Sequence, residues 1–170
     1  MSIIISNASP LISLCSINRI QILKSLWKGI IIPKAVYREV VEEGAGKTGA
    51  DIISMACKDW IKVVIVQNTQ EVEALKAVLD DGEAEVIALG QELNAKLLIL
   101  DNREPRLFAS AANLPIIGTL GVIKLAWRKG LIEDPAAELK KLRSEGFWID
   151  DKLIGKVEKE VNDEKKVPGK

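Results

Sequence analysis

Histidine is absent from this 170-residue sequence. That absence removes the commonest general base, the Ser-His-Asp and Cys-His dyads, and imidazole-ligated zinc or haem. Metal chemistry, if there is any, has to use oxygen ligands. Cysteine is nearly as scarce: Cys15 and Cys57 stand far apart on apolar segments with no C-x-x-C spacing. Two buried thiols in a reducing cytosol are therefore expected, and no disulfide framework. A net charge is missing too, because 24 basic and 24 acidic residues cancel. No whole-molecule field attracts nucleic acid or membrane, so any polyanion must be held by a local patch. Long apolar runs are also lacking. The opening MSIIIS has no basic n-region and its apolar run stops at Ser6. That is too short for a signal peptide and far short of the ~20 apolar residues of a membrane span, so a soluble, cytoplasmic protein with no membrane partner is expected.

What is present is a hydrophobic fraction of 48%, ample for a core in a single domain. Short runs rich in β-branched residues recur at Ile3 to Ile5, Ile30 to Ile32, Ile61 to Val66, Leu97 to Leu100 and Ile116 to Ile117. Most lack in/out alternation, which is how strands covered on both faces read. Helical stretches with start signals lie between them. Ser9-Pro10 reads as an N-cap followed by proline at the first helical position, and Pro33 opens AVYREVVEE in the same way. Asp134-Pro135 opens a helix that closes on Gly146. Alternating strands and helices predict an α/β fold, a three-layer α/β/α arrangement around a central parallel sheet. The loop EEGAGKTGAD contains GKT, but the first glycine of a phosphate-binding loop would fall on Val41, after a helix rather than a strand. That reading is rejected. The charged end EKEVNDEKKVPGK reads as a frayed terminus.

In an open parallel sheet, ligands bind at the carboxyl edge of the strands, where strand order reverses. Asn7 follows the first strand by one residue, and Asp101 is the first charge after KLLIL. Two further acids lie near the starts of helices that begin on that edge. Glu39 stands three residues after Val36, at the border of an apolar stripe. Glu83 shares a face with Ile87 and Gly90, whereas Glu85 shares one with Glu92 and is expected to face water. Each has a plain structural alternative: Asp80 and Glu83 have the spacing of a capping box, Asp101 suits a turn, and Ser9 suits a cap. Convergence favours a site. Two carboxylates ~4 Å apart repel by about 4 kcal/mol at an effective dielectric of 20, and a hard divalent ion such as Mg²⁺ or Mn²⁺ relieves that repulsion.

The ordered segments SNASPLISL, IPKAVYREV, GEAEVIALGQELNAKLLILDN, IIGTLGVIKLAWRKGLI and GFWID resemble the PIN-domain nucleases. More narrowly they resemble a VapC-like toxin branch whose first strand ends in S-[DN]-x-S-P-L and whose fourth helix begins G-E-A-E. The resemblance spans residue 3 to about 155. It implies a PIN-like domain over 1–155, leaving 156–170 as a charged helix end and frayed tail. It implies a Mg²⁺- or Mn²⁺-dependent endoribonuclease, a toxin paired with a small antitoxin protein, working as a homodimer on RNA. The family's acidic positions fall on Asn7, Glu39, Glu83 and Asp101, which become the expected catalytic and metal-ligating set. Ser9 or Thr119 is expected to orient a water or phosphate. Arg103, Arg106, Lys124 and Arg128 are candidate phosphate contacts.

Three departures matter: Asn7 replaces an aspartate, Ala8 a threonine, and Asn102 stands where a second acid is often found. An amide oxygen still coordinates Mg²⁺, but it lacks a negative charge and cannot take a proton from water at neutral pH. Two alternatives follow. One is a degenerate PIN domain that binds protein or RNA without turnover. The other is a phospho-accepting receiver-type domain on Asp101, disfavoured because the first strand lacks an acidic pair.

Overall fold

The computed structural model describes residues 2–166. The chain divides into two compact units at Thr119 and Leu120. The first unit holds five strands, β1 (Ile4–Ser6), β2 (Ile30–Pro33), β3 (Ile61–Val64), β4 (Leu97–Ile99) and β5 (Ile116–Ile117). They pair in the order β3-β2-β1-β4-β5, all parallel. All five sit on the apolar runs identified in the sequence, and the flanking helices complete the expected α/β class. The three residues of β1 are all buried, as a central parallel strand covered on both faces requires.

Strand order fixes where a ligand can enter. From β1 the chain moves outward to β2 and β3, then crosses back to β4 and on to β5. The reversal lies between β1 and β4, and the crevice beyond their carboxyl ends is the topological switch point. Asn7 and Asp101 stand at those two ends. The Asn7 backbone N–H donates to the Ile99 carbonyl at 3.1 Å, tying them together.

The connecting elements are α1 (Ala8–Ser16), α2 (Gln21–Trp27), α3 (Lys34–Tyr37) with a π-helical turn over Arg38–Glu42, α4 (Ala50–Ala56), α5 (Thr69–Leu75), α6 (Asp81–Glu92) and α7 (Arg103–Ala111). Two helix starts differ from expectation. Helix α1 begins at Ala8 with Asn7, not Ser9, as its N-cap. Pro10 is therefore its third residue, tolerated because first-turn N–H groups have no intrahelical partner. Pro33 closes β2 and caps α3 rather than standing inside it. Glu85 also differs: it is half-buried rather than simply solvated, its Oε2 accepting the Ala35 N–H at 2.8 Å and tying α6 to the start of α3.

The second unit holds α8 (Thr119–Arg128, its first residue counted with the first unit), α9 (Pro135–Ser144) and α10 (Asp151–Lys165). Asp134 caps α9 through the Ala136 N–H at 3.0 Å, with Pro135 at the first position, and Gly146 follows the helix at a φ of 97°. Helix α10 runs to Lys165, so residues 158–165 are helical where fraying was expected. Ile154, Val157 and Val161 hold it, recurring on one buried face. The rest of the expected tail, residues 167–170, lies outside the described residues. Among the described residues no helix is long and apolar enough to cross a membrane.

Candidate active site

The site begins with a capping position that does not cap. An Asn at the N-cap ordinarily turns its side-chain oxygen back onto the N–H of the second or third helical residue. Here the third residue is Pro10, which has no N–H, and Asn7 makes no side-chain cap bond. The side chain is only 4% exposed, yet its Oδ1 has no hydrogen-bond partner. A buried carbonyl oxygen left unpaired costs about 1–3 kcal/mol, so this atom is free to accept from a water or to coordinate a cation.

Glu39 comes to meet it from the π-helical turn, a distortion that often accompanies function. The residue as a whole is exposed, but its carboxyl end turns inward. A Cβ built on Gly82, the second residue of α6, would lie 3.2 Å from Glu39 Oε2, 3.3 Å from Asn7 Oδ1 and 3.4 Å from Val36 Cγ2. Only glycine leaves that space open. The Glu39 carboxyl is pushed above its ordinary value by loss of solvent first, then by the negative charges of Asp80, Glu43 and Glu83. Glu39 and Gly82 line an open cavity of about 270 Å³ with Glu43, Asp80, Asp81 and Arg38. Its basic member is already shared, since Arg38 lies 3.2 Å from Asp81 and 3.5 Å from Glu43. A larger cavity, about 480 Å³, lies in the second unit beside Trp127, but there Arg128 and Glu164 answer each other at 3.5 Å.

The two other acids are held by donors. Glu83 completes the capping box: its N–H donates to Asp80 Oδ1 at 2.8 Å and its Oε2 accepts the Asp80 N–H at 3.1 Å. Its remaining oxygen, Oε1, accepts from Asn102 Nδ2 at 2.9 Å. Asp101 receives the Thr119 N–H on Oδ1 at 2.7 Å and the Thr119 hydroxyl on Oδ2 at 2.6 Å. The expected four-residue constellation therefore shares one sheet edge without closing on one point. Asn7 and Glu39 meet beside Gly82, Glu83 is joined to Asn102, and Asp101 to Thr119. Among the described residues no group of three or more His, Cys, Asp or Glu side chains converges to hold an ion.

Of the remaining candidates, Ser9 is half-buried inside α1, Thr119 anchors Asp101, and Arg103 is exposed at the start of α7. Lys124 and Arg128 are neutralised within the second unit, at 2.7 Å from Glu160 and 3.5 Å from Glu164 respectively. Gly82 escaped sequence reasoning although its signal was present, a glycine in the first turn of a helix where any other residue would serve the backbone better.

A family model described as a PIN domain matches residues 3–163. The match spans nearly the whole sequence, and the chain belongs to the PIN-domain family. No curated protein matches the chain.

The residues beside Gly82 suit a hard cation. They offer an unpaired neutral oxygen and a carboxylate whose charge is unfavourable without a counter-ion, in a gap a methyl group would fill. The Asp101 end differs: its carboxylate already has the Thr119 donors, and among the described residues no unpartnered buried oxygen accompanies it.

Proposed function

We propose that this protein is a metal-dependent ribonuclease of low intrinsic activity, holding Mg²⁺ or Mn²⁺ on Asn7 Oδ1 and Glu39 with water completing the shell. The observation that carries the reading is the buried, unpartnered Asn7 oxygen facing the same glycine gap as Glu39. Such ions commonly take only one or two carboxylates. When bound, a divalent ion supplies an activated water and offsets charge on the phosphodiester under attack.

The chain's own residues set the rest. Asn7 gives an oxygen but no charge and no proton acceptor. Glu39 is the one carboxylate of the pair, and a bound ion would offset the loss of solvent and the acidic neighbours that disfavour its charge. Glu83, locked by Asp80 and Asn102, supplies fixed negative charge beside it. Asp101, locked by Thr119, fixes the β4 edge. We assign RNA as substrate, a small antitoxin-like protein as partner and a homodimer as the working state on the resemblance of the motifs to toxin-type members.

The test is cleavage of a structured RNA with Mn²⁺ by wild type, Glu39→Gln and Asn7→Asp. The reading expects Glu39→Gln to lose activity and Asn7→Asp to gain it. Equal rates in all three overturn it. A second reading, a PIN domain that binds without turnover, is favoured by the amide at position 7 and by the engagement of Glu83 and Asp101. It expects no cleavage by wild type and cleavage by Asn7→Asp.

A further inference from the structure

Asp101 raises a second question, because an arginine stands next to it without pairing. A Cβ built on Gly118 would lie 3.0 Å from Asp101 Oδ1 and 3.4 Å from Arg106 Nη1, so the carboxylate and the guanidinium border one small gap. Opposite charges this close ordinarily join. Here Thr119 occupies both carboxylate oxygens, and among the described residues Arg106 makes neither an ion pair nor a side-chain hydrogen bond. Arg106 is half-buried, whereas Arg103 at the head of the same helix is exposed. Lys124 and Arg128 are paired with acids of their own unit. Of the four basic candidates, Arg106 alone combines partial burial, proximity to a site acid and an unanswered charge.

We propose that Arg106 is the phosphate contact of the site, receiving a backbone phosphate of bound RNA across the gap that Gly118 leaves open. The proposal rests on the ribonuclease reading for the identity of its ligand. A guanidinium presents a planar fork of donors that matches two phosphate oxygens, and one already partly removed from water interacts more strongly than a solvated one. Thr119 is what keeps it available. By bonding both oxygens of Asp101 it holds the carboxylate in an orientation in which the arginine is left unpaired. Contacts of this kind set the register of the strand and carry no base specificity. A molecule with no net charge depends on such single contacts, since no broad basic field assists them.

The experiment is equilibrium binding of a short fluorescein-labelled single-stranded RNA, followed by anisotropy in EDTA over a range of salt, so that turnover cannot intervene. Wild type is compared with Arg106→Gln, Arg106→Lys, Arg103→Gln and Gly118→Ala, each checked by thermal melting. Arg106→Gln is expected to weaken binding about tenfold and to reduce the slope of log K against log salt by about 0.7, the share of one phosphate on a single strand. Arg106→Lys keeps the slope and loses part of the affinity. Gly118→Ala, which leaves every charge in place and fills the gap, weakens binding as well. Arg103→Gln changes neither quantity.

An unchanged slope and affinity in Arg106→Gln overturns the proposal, as does an absence of salt-dependent binding by wild type. The two failures are separable. Lost slope with no Mn²⁺-dependent cleavage sinks the nuclease reading and supports the Arg106 contact, whereas intact slope with active cleavage sinks the contact alone.

Discussion

Asn7 and Glu39 form an incomplete pair, and each makes a prediction. Asn7→Leu replaces an unsatisfied buried oxygen with a side chain of similar size, so it removes a cost rather than a bond. Urea unfolding without metal is expected to show stability equal to or above wild type, while the rise in melting temperature on adding Mn²⁺ disappears. Glu39 predicts a pH dependence of definite sign. Its folded-state value lies above the ordinary 4.5, chiefly because its carboxyl is desolvated. The fold therefore binds more protons than the unfolded chain in that window, and stability falls as pH rises from 4.5 through the folded-state value. Glu39→Gln is expected to remove this fall, making the variant more stable than wild type at neutral pH in EDTA. In excess Mn²⁺ the order reverses, since the ion favours the charged carboxylate. Parallel urea melts at several pH values would show a constant difference if Glu39 were simply solvated.

At the scale of elements, the beginning of α6 does two jobs that substitutions can separate. Asp80→Ala removes the capping box and is expected to cost ~1 kcal/mol in chemical denaturation. In Gly82→Ala the better helix propensity of alanine is set against contacts at 3.2 Å to Glu39, 3.3 Å to Asn7 and 3.4 Å to Val36, so stability is expected to stay within ~1 kcal/mol of wild type. The substitution is nevertheless expected to abolish the response to Mn²⁺, because the added methyl meets Glu39 and Asn7. The elements themselves were legible in the sequence: short runs of Ile, Val and Leu coincide with all five strands, and Asp134-Pro135 and Gly146 mark both ends of α9. Helix starts were less so. Ser9-Pro10 has the form of a cap and first residue, but the chain turns helical two residues earlier and leaves Asn7 capping with nothing to bond. Glu85 was misread because periodicity on one helix cannot reveal an N–H offered by another, and that of Ala35 claims its carboxylate. The acids at the sheet edge were legible as a group, whereas the withdrawal of Glu83 and Asp101 into bonded pairs of their own depends on donors from Asn102 and Thr119 that only the fold brings near.

At the scale of the whole molecule, strand order governs both rigidity and chemistry. Ile5 of β1 and Leu98 and Ile99 of the neighbouring β4 are fully buried, at 0% exposure. Their amides are expected to exchange with solvent only on global unfolding, and the segment from Gly44 to Gly49 to exchange fastest. Protection as weak in β1 and β4 as in that loop would contradict the packing. The same two strands carry Asn7 and Asp101 to the reversal of the sheet, so the site rests on its most rigid part. If a cation occupies the gap beside Gly82, its binding must depend on that glycine. The most direct measurement is titration of Mn²⁺ followed by electron paramagnetic resonance of the free ion, for wild type and Gly82→Ala at neutral pH. Saturable binding of a single ion by wild type and its loss in Gly82→Ala is the predicted result; equal binding by the two proteins, or none by wild type, would contradict it.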